Sequence, residues 1–323
     1  MQRTASVEAV TAAGGAGVSD VMYRVEERMS GLLDGYGHLL AAHAQATISA
    51  GGKRLRPLLV CLASGVPVHE SDQLVSSAVA VELVHAATLV HDDVLDGASL
   101  RRGRPTVVAA GGRLLATATG DLLFSRAFAE LAENGSIEAV RALSRAASGL
   151  AAGELMQRAD AWDASVSLER YLERCRLKTA VLFRGACELG AFSGGAPARS
   201  LGQFGEAIGL AFQLLDDILD VTGPPERTGK PRGADLLDGT VTLPLIVGRG
   251  RDRRLAELEL RSLRSAEQAA DVCDAITATG ALEVARDRAL AVVARAKETL
   301  PLLPAEQRSA LELVADGVVE RYS

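Results

Sequence analysis

Two short runs of aspartate, each with the pattern Asp-Asp-x-x-Asp, are the residues in this sequence best suited to chemistry. The first occupies residues 92–96 and the second residues 216–220. On a helix, the first and last aspartates of each run lie one turn apart on the same face, with the middle aspartate to one side. Like charges at this spacing destabilise a helix, so a compensating cation is expected.

Mg²⁺ is the natural compensating cation, because it takes oxygen ligands and commonly bridges one or two carboxylates to a phosphate group. Apolar residues flank both runs, which indicates that the carboxylates are largely buried. A single run could equally be a solvated acidic face, but two copies in apolar helices favour a site that holds a diphosphate through several Mg²⁺ ions. The predicted metal ligands are Asp92, Asp93, Asp96, Asp216, Asp217 and Asp220.

Two polar residues share the helical faces of these runs. His85 lies two turns before Asp92, so a role in ligand binding is favoured over that of a core histidine. Gln213 lies on the face of the second run, where a neutral amide can order an acidic site without adding charge. An ordinary exposed glutamine is the alternative.

Two basic clusters could bind phosphate although the net charge of the chain is −6. The planar guanidinium group of arginine suits phosphate oxygens, and both clusters lie beside glycine, proline or an aspartate run. Either cluster alone would more often be solvated surface. The clusters are Lys53, Arg54 and Arg56, and Arg101, Arg102 and Arg104.

Two further lysines have less specific surroundings. Lys178 and Thr179 lie in the middle of an apolar helix, where the lysine could simply extend to solvent. Lys230 lies in residues 223–242, a connection rich in glycine and proline that could close over a diphosphate or be a mobile surface loop.

The elements that position these residues are predicted to be helices. Aromatic residues are only 3% of the sequence, while alanine and leucine, which favour helices, are abundant. Residues 72–96 are predicted to form one helix that ends at Gly97, and residues 167–191 another. Residues 99–106 are a predicted basic loop, followed by a helix over about residues 114–133.

The whole chain is predicted to be all-α, with a mobile leader at residues 1–17 and one large helical domain over residues 18–323. About ten or more helices are expected. Four scattered cysteines are expected to be free thiols in a reducing cytoplasm. The acidic charge argues against a nucleic-acid surface, and no membrane-spanning or secretory segment is predicted.

The motifs resemble, in order and spacing, those of the trans-type polyprenyl diphosphate synthases, which include farnesyl and geranylgeranyl diphosphate synthases. The likeness covers nearly all of the chain after the leader. It is carried by Gly51-Gly52-Lys53-Arg54-Leu55-Arg56-Pro57, His91-Asp92-Asp93-Val94-Leu95-Asp96, Leu100-Arg101-Arg102-Gly103-Arg104-Pro105-Thr106, Gly120-Asp121, Gly153-Glu154, Lys178-Thr179-Ala180, Phe212-Gln213-Leu214-Leu215-Asp216-Asp217, and the segment from Asp235 to Pro244.

This resemblance implies the isoprenoid synthase fold, with helices around a central cavity, and a cytoplasmic homodimer. It implies that isopentenyl diphosphate condenses with an allylic diphosphate, which releases pyrophosphate and extends a linear all-trans chain. Roughly three Mg²⁺ ions would bind with the diphosphate, which the two aspartate runs hold between them.

The resemblance also implies roles for individual residues. Asp92, Asp96 and Asp216 would be the principal metal ligands, with the other three aspartates supporting them. Contacts to the allylic diphosphate would come from Arg101, Lys178 and Lys230. Isopentenyl diphosphate would be held by Lys53, Arg56, His85 and Arg102, and the reacting centre would be lined by Thr179 and Gln213.

Product length should depend on the helix that carries the first aspartate run, because one helical turn of about 5.4 Å is comparable with one added isoprene unit. Val84, Ala87 and Thr88 precede Asp92 on this helix. In the family, aromatic residues at the positions of Ala87 and Thr88 block elongation early. Both are small here, so geranylgeranyl or longer products are predicted.

Three features depart from the family pattern: Val108, the stretch Ala110-Gly111-Gly112, and the short tail Arg321-Tyr322-Ser323. Three other functions are the alternatives. A class I terpene cyclase shares an aspartate-rich motif but usually carries a mixed second motif. A non-catalytic partner subunit typically loses one motif or both, and a general anion-binding module would not need paired acidic faces.

Overall fold

The computed structural model describes residues 10, 16–32, 38–49, 54–65, 71–101, 103–223 and 231–320. Over these residues the chain is almost entirely helical, which confirms the predicted all-α class of ten or more helices. The first helices are α1 (Ala16–Gly31), α2 (His38–Ser49), α3 (Leu55–Ser64), α4 (Asp72–Asp96), α5 (Val107–Glu133) and α6 (Ile137–Ala159). They are followed by α7 (Leu168–Cys175), a π-helical turn (Arg176–Ala180), α8 (Val181–Gly194) and α9 (Ala198–Thr222).

Shorter helices follow α9 before the chain ends in three longer ones. They are α10 (Ala234–Leu237), α11 (Leu243–Arg249), α12 (Arg253–Ala256), a 3₁₀ turn (Leu260–Ser262), α13 (Ala266–Ala278), α14 (Ala281–Glu298) and α15 (Ala305–Glu320). Three predicted site residues, Lys53, Arg102 and Lys230, lie outside the described residues, as do the tail and most of the predicted leader.

Helix α4 has the predicted bounds, because both of its ends carry strong signals. The side chain of Ser71 accepts a hydrogen bond from the Leu74 amide, and Asp72 adds a negative charge to the first turn. Gly97 adopts a left-handed conformation with φ of 62° and ends the helix after Asp96.

The basic loop after α4 contains a small hairpin that the sequence did not predict. Strand β1 (Leu100–Arg101) pairs antiparallel with strand β2 (Arg104–Pro105). The next helix also begins earlier than predicted, at Val107, since the side chain of Thr106 caps it by accepting a hydrogen bond from the Ala109 amide. Gly112, with φ of 79° and ψ of 171°, interrupts this helix just before residue 114, where the helix was predicted to begin.

The predicted helix at residues 167–191 is divided by the π-helical turn. Such turns are rare and often occur at functional sites. The turn carries Lys178 and Thr179, so it presents two of the predicted site residues on locally altered backbone.

The contacts divide the chain into two compact units. Unit 1 comprises Met1–Ala147, Leu182–Gly205 and Thr299–Val314, and its core includes Leu83, Phe183 and Phe204. Unit 2 comprises Ser148–Val181, Glu206–Glu298 and Ala315–Ser323, and its core includes Tyr171, Leu214 and Leu215. The first aspartate run belongs to unit 1 and the second to unit 2.

Helices α4 and α5 are long and apolar enough to span a membrane, judged by length and composition alone. In α4, 78% of the apolar window is buried inside the protein, as in the core helix of a globular fold. In α5 the buried share is 28%, so this helix leaves an apolar face uncovered.

Candidate active site

The first aspartate run forms the last turn of helix α4 in unit 1. Asp92 is half-buried, Asp93 is buried with 4% of its surface exposed, and Asp96 is exposed. Arg101, at the start of the hairpin, binds the buried member: its Nε and Nη2 atoms lie 2.8 and 2.7 Å from Oδ1 of Asp93. The middle aspartate thus fixes an arginine beside the two outer aspartates.

Helix α4 also carries the other residues predicted around this run. His85 is half-buried two turns before Asp92, and Thr88 donates a hydrogen bond of 2.8 Å to the His85 carbonyl oxygen. Val84 and Ala87 are fully buried, whereas Thr88 keeps partial exposure. Of the three predicted length-determining residues, Thr88 is therefore the most accessible.

Packing within unit 1 explains why a glycine occupies position 120 in the Gly120-Asp121 pair. His91, next to Asp92, lies so close to Gly120 that a Cβ atom there would be 2.2 Å from its Nε2 atom. The same nitrogen lies 3.4 Å from Oδ1 of Asp121, and the ring stacks on Phe124. Gly120 therefore allows α5 to pack closely against the end of α4.

The basic residues after the glycine pair have separate roles in unit 1. Arg54 binds carboxylates of Glu26 and Glu82 at 2.5 and 2.8 Å. Burial alone would lower the pKa of Arg54, but its hydrogen bonds and attraction to these two glutamates raise it. Arg56 is half-buried, with its guanidinium carbon 4.6 Å from the centre of the Phe183 ring. Arg54 is thus an anchor of the backbone that leads to Arg56.

The second aspartate run lies on helix α9 in unit 2 and repeats the pattern of the first. Asp216 is exposed, Asp217 is buried with 3% of its surface exposed, and Asp220 is half-buried. Both oxygens of Asp217 accept hydrogen bonds: the Tyr171 hydroxyl donates to Oδ2 at 2.5 Å, and Nε2 of Gln213 donates to Oδ1 at 2.8 Å.

The sequence prediction that the carboxylates are largely buried is wrong for Asp96 and Asp216, which are exposed. Only the middle aspartate of each run, Asp93 or Asp217, lies in the packed interior. Of the outer aspartates, Asp96 and Asp216 are exposed, whereas Asp92 and Asp220 are half-buried.

The π-helical turn places its two polar residues against different partners. The Thr179 hydroxyl donates a hydrogen bond of 2.6 Å to Oε1 of Gln213, so it joins the chain of contacts that ends at Asp217. Nζ of Lys178 lies 2.6 Å from Oε2 of Glu154, and Nε of Arg158 lies 2.7 Å from Oε1 of the same carboxylate. Because two cations share one carboxylate, this cluster keeps a net positive charge.

Gly153 explains how α6 approaches the turn. A Cβ atom at this position would lie 2.4 Å from the backbone nitrogen of Lys178, well inside van der Waals contact. The two residues of the Gly153-Glu154 pair therefore have different roles. Gly153 leaves room for the backbone of the turn, and Glu154 binds the side chain of Lys178.

Asp217 lies buried within a cluster of acidic side chains. Burial raises its pKa to about 7, and the nearby charges of Asp235 and Asp216 add to this effect, although hydrogen bonds from Tyr171 and Gln213 oppose it. Asp235, whose amide donates to Oδ2 of Asp220 at 3.3 Å, extends the acidic cluster. A cation near this cluster would stabilise it.

Sequence reasoning assigned no role to Tyr171 or Asp235. Asp235 lay within a matched segment but not within an aspartate run. Tyr171 has the sequence signal of a core aromatic residue, and only its contact with Asp217 distinguishes it.

The donor set fits Mg²⁺ bound together with a diphosphate. Among the described residues, no three His, Cys, Asp or Glu side chains are placed to hold a metal ion by themselves. Mg²⁺ commonly takes one or two carboxylates and completes its shell with water and phosphate oxygens. The outer aspartates of each run suit that partial role.

Comparison with known proteins shows the family. The family model described as polyprenyl synthetase matches residues 38–278. This chain belongs to the polyprenyl synthetase family.

Individual relatives cover nearly the whole chain. It is 41% identical over 271 residues to heptaprenyl diphosphate synthase component 2 of Geobacillus stearothermophilus, covering 82% of this chain and 84% of that protein. A polyprenyl synthase of Caulobacter crescentus, solved with calcium and isoprenyl diphosphate, superposes with a TM-score of 0.88 at 36% identity, covering 98% of each chain. A decaprenyl diphosphate synthase of Rhodobacter capsulatus gives a TM-score of 0.89 at 30% identity, covering 98% of this chain and 99% of that one.

Proposed function

We propose that this chain condenses isopentenyl diphosphate with an allylic diphosphate, releases pyrophosphate and makes a linear all-trans polyprenyl diphosphate. The observation that carries this function is the pair of complete aspartate runs within the region that matches the family. Each run has a buried middle aspartate held by protein donors and outer aspartates that are half-buried or exposed.

Asp92, Asp96 and Asp216 are the proposed principal ligands of Mg²⁺, with Asp220 in support. Asp93 and Asp217 were also predicted from the sequence as supporting ligands. They are proposed instead as anchors, because their carboxylates bind Arg101 in the first run, and Tyr171 and Gln213 in the second. Bound Mg²⁺ would neutralise charge on the diphosphate and on the departing pyrophosphate. The Caulobacter relative was solved with calcium and isoprenyl diphosphate, which supports divalent metal and diphosphate ligands for this chain as well. By family resemblance, roughly three ions are proposed to bind with the diphosphate.

The cationic side chains bind and stabilise the leaving diphosphate. Arg101 and Lys178 are each fixed by a carboxylate, and their remaining N–H groups suit phosphate oxygens. Lys230 is proposed to do the same. Isopentenyl diphosphate is assigned to Lys53, Arg56, His85 and Arg102 by the family resemblance.

Thr179 and Gln213 border the reacting centre in this proposal. Their direct hydrogen bond of 2.6 Å orients both polar groups. The allylic carbocation is attacked by the double bond of isopentenyl diphosphate, and a proton then leaves. The released pyrophosphate can accept this proton, so the step requires no dedicated protein base.

Product length is proposed to be that of geranylgeranyl diphosphate or longer. The named relatives are a component of a heptaprenyl diphosphate synthase and a decaprenyl diphosphate synthase, which supports a long product. Small residues at Ala87 and Thr88 are consistent with long products, because neither side chain would obstruct a growing chain beside α4.

A homodimer is proposed on the basis of helix α5. Its apolar window is only 28% buried, and Leu114 is 86% exposed. A second copy of the chain would cover this face. The Geobacillus relative is named as one component of its enzyme, so a different protein subunit is the alternative partner. Light scattering of the purified chain separates these alternatives. A mass of roughly twice 33.7 kDa indicates a homodimer, whereas a mass of roughly 33.7 kDa favours a different subunit as the partner.

A cytoplasmic location is proposed because all four cysteines are buried free thiols, which suit a reducing compartment.

The function is tested by incubating the purified chain with Mg²⁺, isopentenyl diphosphate and farnesyl diphosphate, then sizing the products. We expect pyrophosphate release and a ladder of prenyl diphosphates longer than the starter. Absence of pyrophosphate release with every allylic starter would overturn the proposed function.

A further inference from the structure

Tyr171 is fully buried in the middle of α7, five residues before the π-helical turn begins at Arg176, yet it carries a hydroxyl group that its surroundings must satisfy. That hydroxyl donates to Oδ2 of Asp217 at 2.5 Å. A phenylalanine would fill nearly the same volume. What tyrosine adds at this position, compared with phenylalanine, is therefore the hydrogen bond from its hydroxyl to the Asp217 carboxylate.

Asp217 receives a donor on each carboxylate oxygen, from Tyr171 on one side and Gln213 on the other. The neighbouring Asp216 is exposed, whereas Asp217 keeps only 3% of its surface. Asp217 is thus directed into the protein, while Asp216 is directed out of it.

Two contacts connect the segment around the turn to helix α9. One is the bond from Tyr171 to Asp217, and the other is the bond from Thr179 to Gln213, four residues before Asp217. Together they fix the rotation of α9 relative to the turn, which determines where the outer aspartates point.

We propose that Tyr171 is a positioning residue for the second aspartate run. Its hydroxyl, together with the amide of Gln213, holds Asp217 as an internal anchor, so that Asp216 and Asp220 present their carboxylates to metal and diphosphate. Asp217 itself does not ligate the metal. The inference rests on the proposed function, because it assigns how one half of that site is oriented.

The test compares wild type with Tyr171→Phe, which removes only the hydroxyl. Binding of Mg²⁺ with pyrophosphate is measured by isothermal titration calorimetry, and activity is measured across Mg²⁺ concentrations. We expect binding to weaken about tenfold, the Mg²⁺ concentration for half-maximal activity to rise by a similar factor, and KM for isopentenyl diphosphate to stay unchanged.

Thr279→Val is the matched control, since it also removes one hydroxyl hydrogen bond in unit 2, to the Ile276 carbonyl oxygen at 2.6 Å. It should leave the Mg²⁺ dependence unchanged. If Tyr171→Phe does not fold, Gln213→Leu removes the other donor to Asp217 at a half-buried position and should shift the Mg²⁺ dependence in the same direction.

If the wild type is active and both Tyr171→Phe and Gln213→Leu keep its Mg²⁺ dependence, the positioning role of Tyr171 is overturned. The proposed function would stand in that case. A wild-type protein that neither binds pyrophosphate with Mg²⁺ nor transfers a prenyl group would overturn the proposed function and this inference together.

Discussion

Nζ of Lys178 lies 2.6 Å from Oε2 of Glu154, so the lysine in the π-helical turn is bound by helix α6 rather than extended freely into solvent. Arg158 binds the other oxygen of the same carboxylate at 2.7 Å. The glutamate thereby fixes the position of the lysine without cancelling the positive charge of the cluster.

The Glu154–Lys178 pair should stabilise the protein in a pH-dependent way. Burial raises the pKa of Glu154, but attraction to Lys178 and hydrogen bonds from Lys178 and Arg158 outweigh burial, so the net pKa falls below the ordinary value of 4.5. The stabilisation is present above that pH and is lost as pH falls through the folded-state pKa. We expect Glu154→Gln to lower the free energy of unfolding at pH 7 by about 1 kcal/mol.

Urea denaturation at neutral and acidic pH measures this effect. The difference between wild type and Glu154→Gln should shrink as pH falls below the ordinary glutamate pKa of 4.5 and through the lower folded-state pKa. Glu257→Gln is the control, because Glu257 and Arg253 form an exposed pair with the same i,i+4 spacing as Glu154 and Arg158. A Glu154→Gln difference independent of pH would contradict the assignment.

Gly153 should be intolerant of even one methyl group. A Cβ atom there would lie 2.4 Å from the Lys178 backbone nitrogen, so Gly153→Ala must displace α6 or the turn. We expect a loss of about 2 kcal/mol in the free energy of unfolding and a lower kcat.

Gly317→Ala is the matched helical control, because a Cβ atom at residue 317 would have no neighbouring atom within 4 Å. It should stabilise the protein by up to about 1 kcal/mol. Equal effects of the two substitutions in urea denaturation would show that α6 does not pack against the turn as described.

The four cysteines should be unreactive in the native protein. All are buried, and burial raises the pKa of Cys61, Cys187 and Cys273 to about 12 and raises that of Cys175 as well. At pH 8 the reactive thiolate is therefore scarce.

A thiol reagent such as dithionitrobenzoate measures this directly. We expect slow reaction in buffer and rapid reaction of four thiols per chain in denaturant, since the sequence holds four cysteines. Rapid reaction of any one thiol in buffer would place that cysteine at an accessible surface.

Thr88→Phe should shorten the product. Thr88 is partly exposed on α4, so an aromatic ring can extend beside the helix without entering the core. Ala87→Phe tests the same idea less cleanly, because Ala87 is fully buried and a larger side chain would cost about 1–3 kcal/mol of stability.

Thr88→Val is the control, since it removes the hydroxyl bond to the His85 carbonyl oxygen at nearly constant volume. Chromatography of the products should show a shorter main product for Thr88→Phe and an unchanged one for Thr88→Val. An unchanged length with Thr88→Phe would move the chain-length determinant away from this face of α4.

The sequence predicted the helix of the first aspartate run accurately because its ends are determined locally, by Ser71 as a cap and by Gly97 as a stop. It did not predict the π-helical turn, since residues 176–180 contain no glycine or proline and continue an apolar helical pattern. The backbone of that turn packs against Gly153, a contact between residues distant in sequence that helical pattern does not reveal.

The aspartate runs were found from spacing alone, but their unequal burial was not. Which aspartate enters the core depends on donors supplied by other elements, Arg101 for Asp93 and Tyr171 for Asp217. Spacing identifies residues that share a helical face, whereas tertiary contacts decide which face is covered.

The central claim is that this chain joins two diphosphate substrates, and the dependence of pyrophosphate release on both of them tests it most directly. We expect release with Mg²⁺ only when isopentenyl diphosphate and an allylic diphosphate are both present, and its loss in Asp92→Asn and Asp216→Asn. Release from the allylic diphosphate alone, at the same rate and with a cyclised product, would contradict the account and indicate a terpene cyclase.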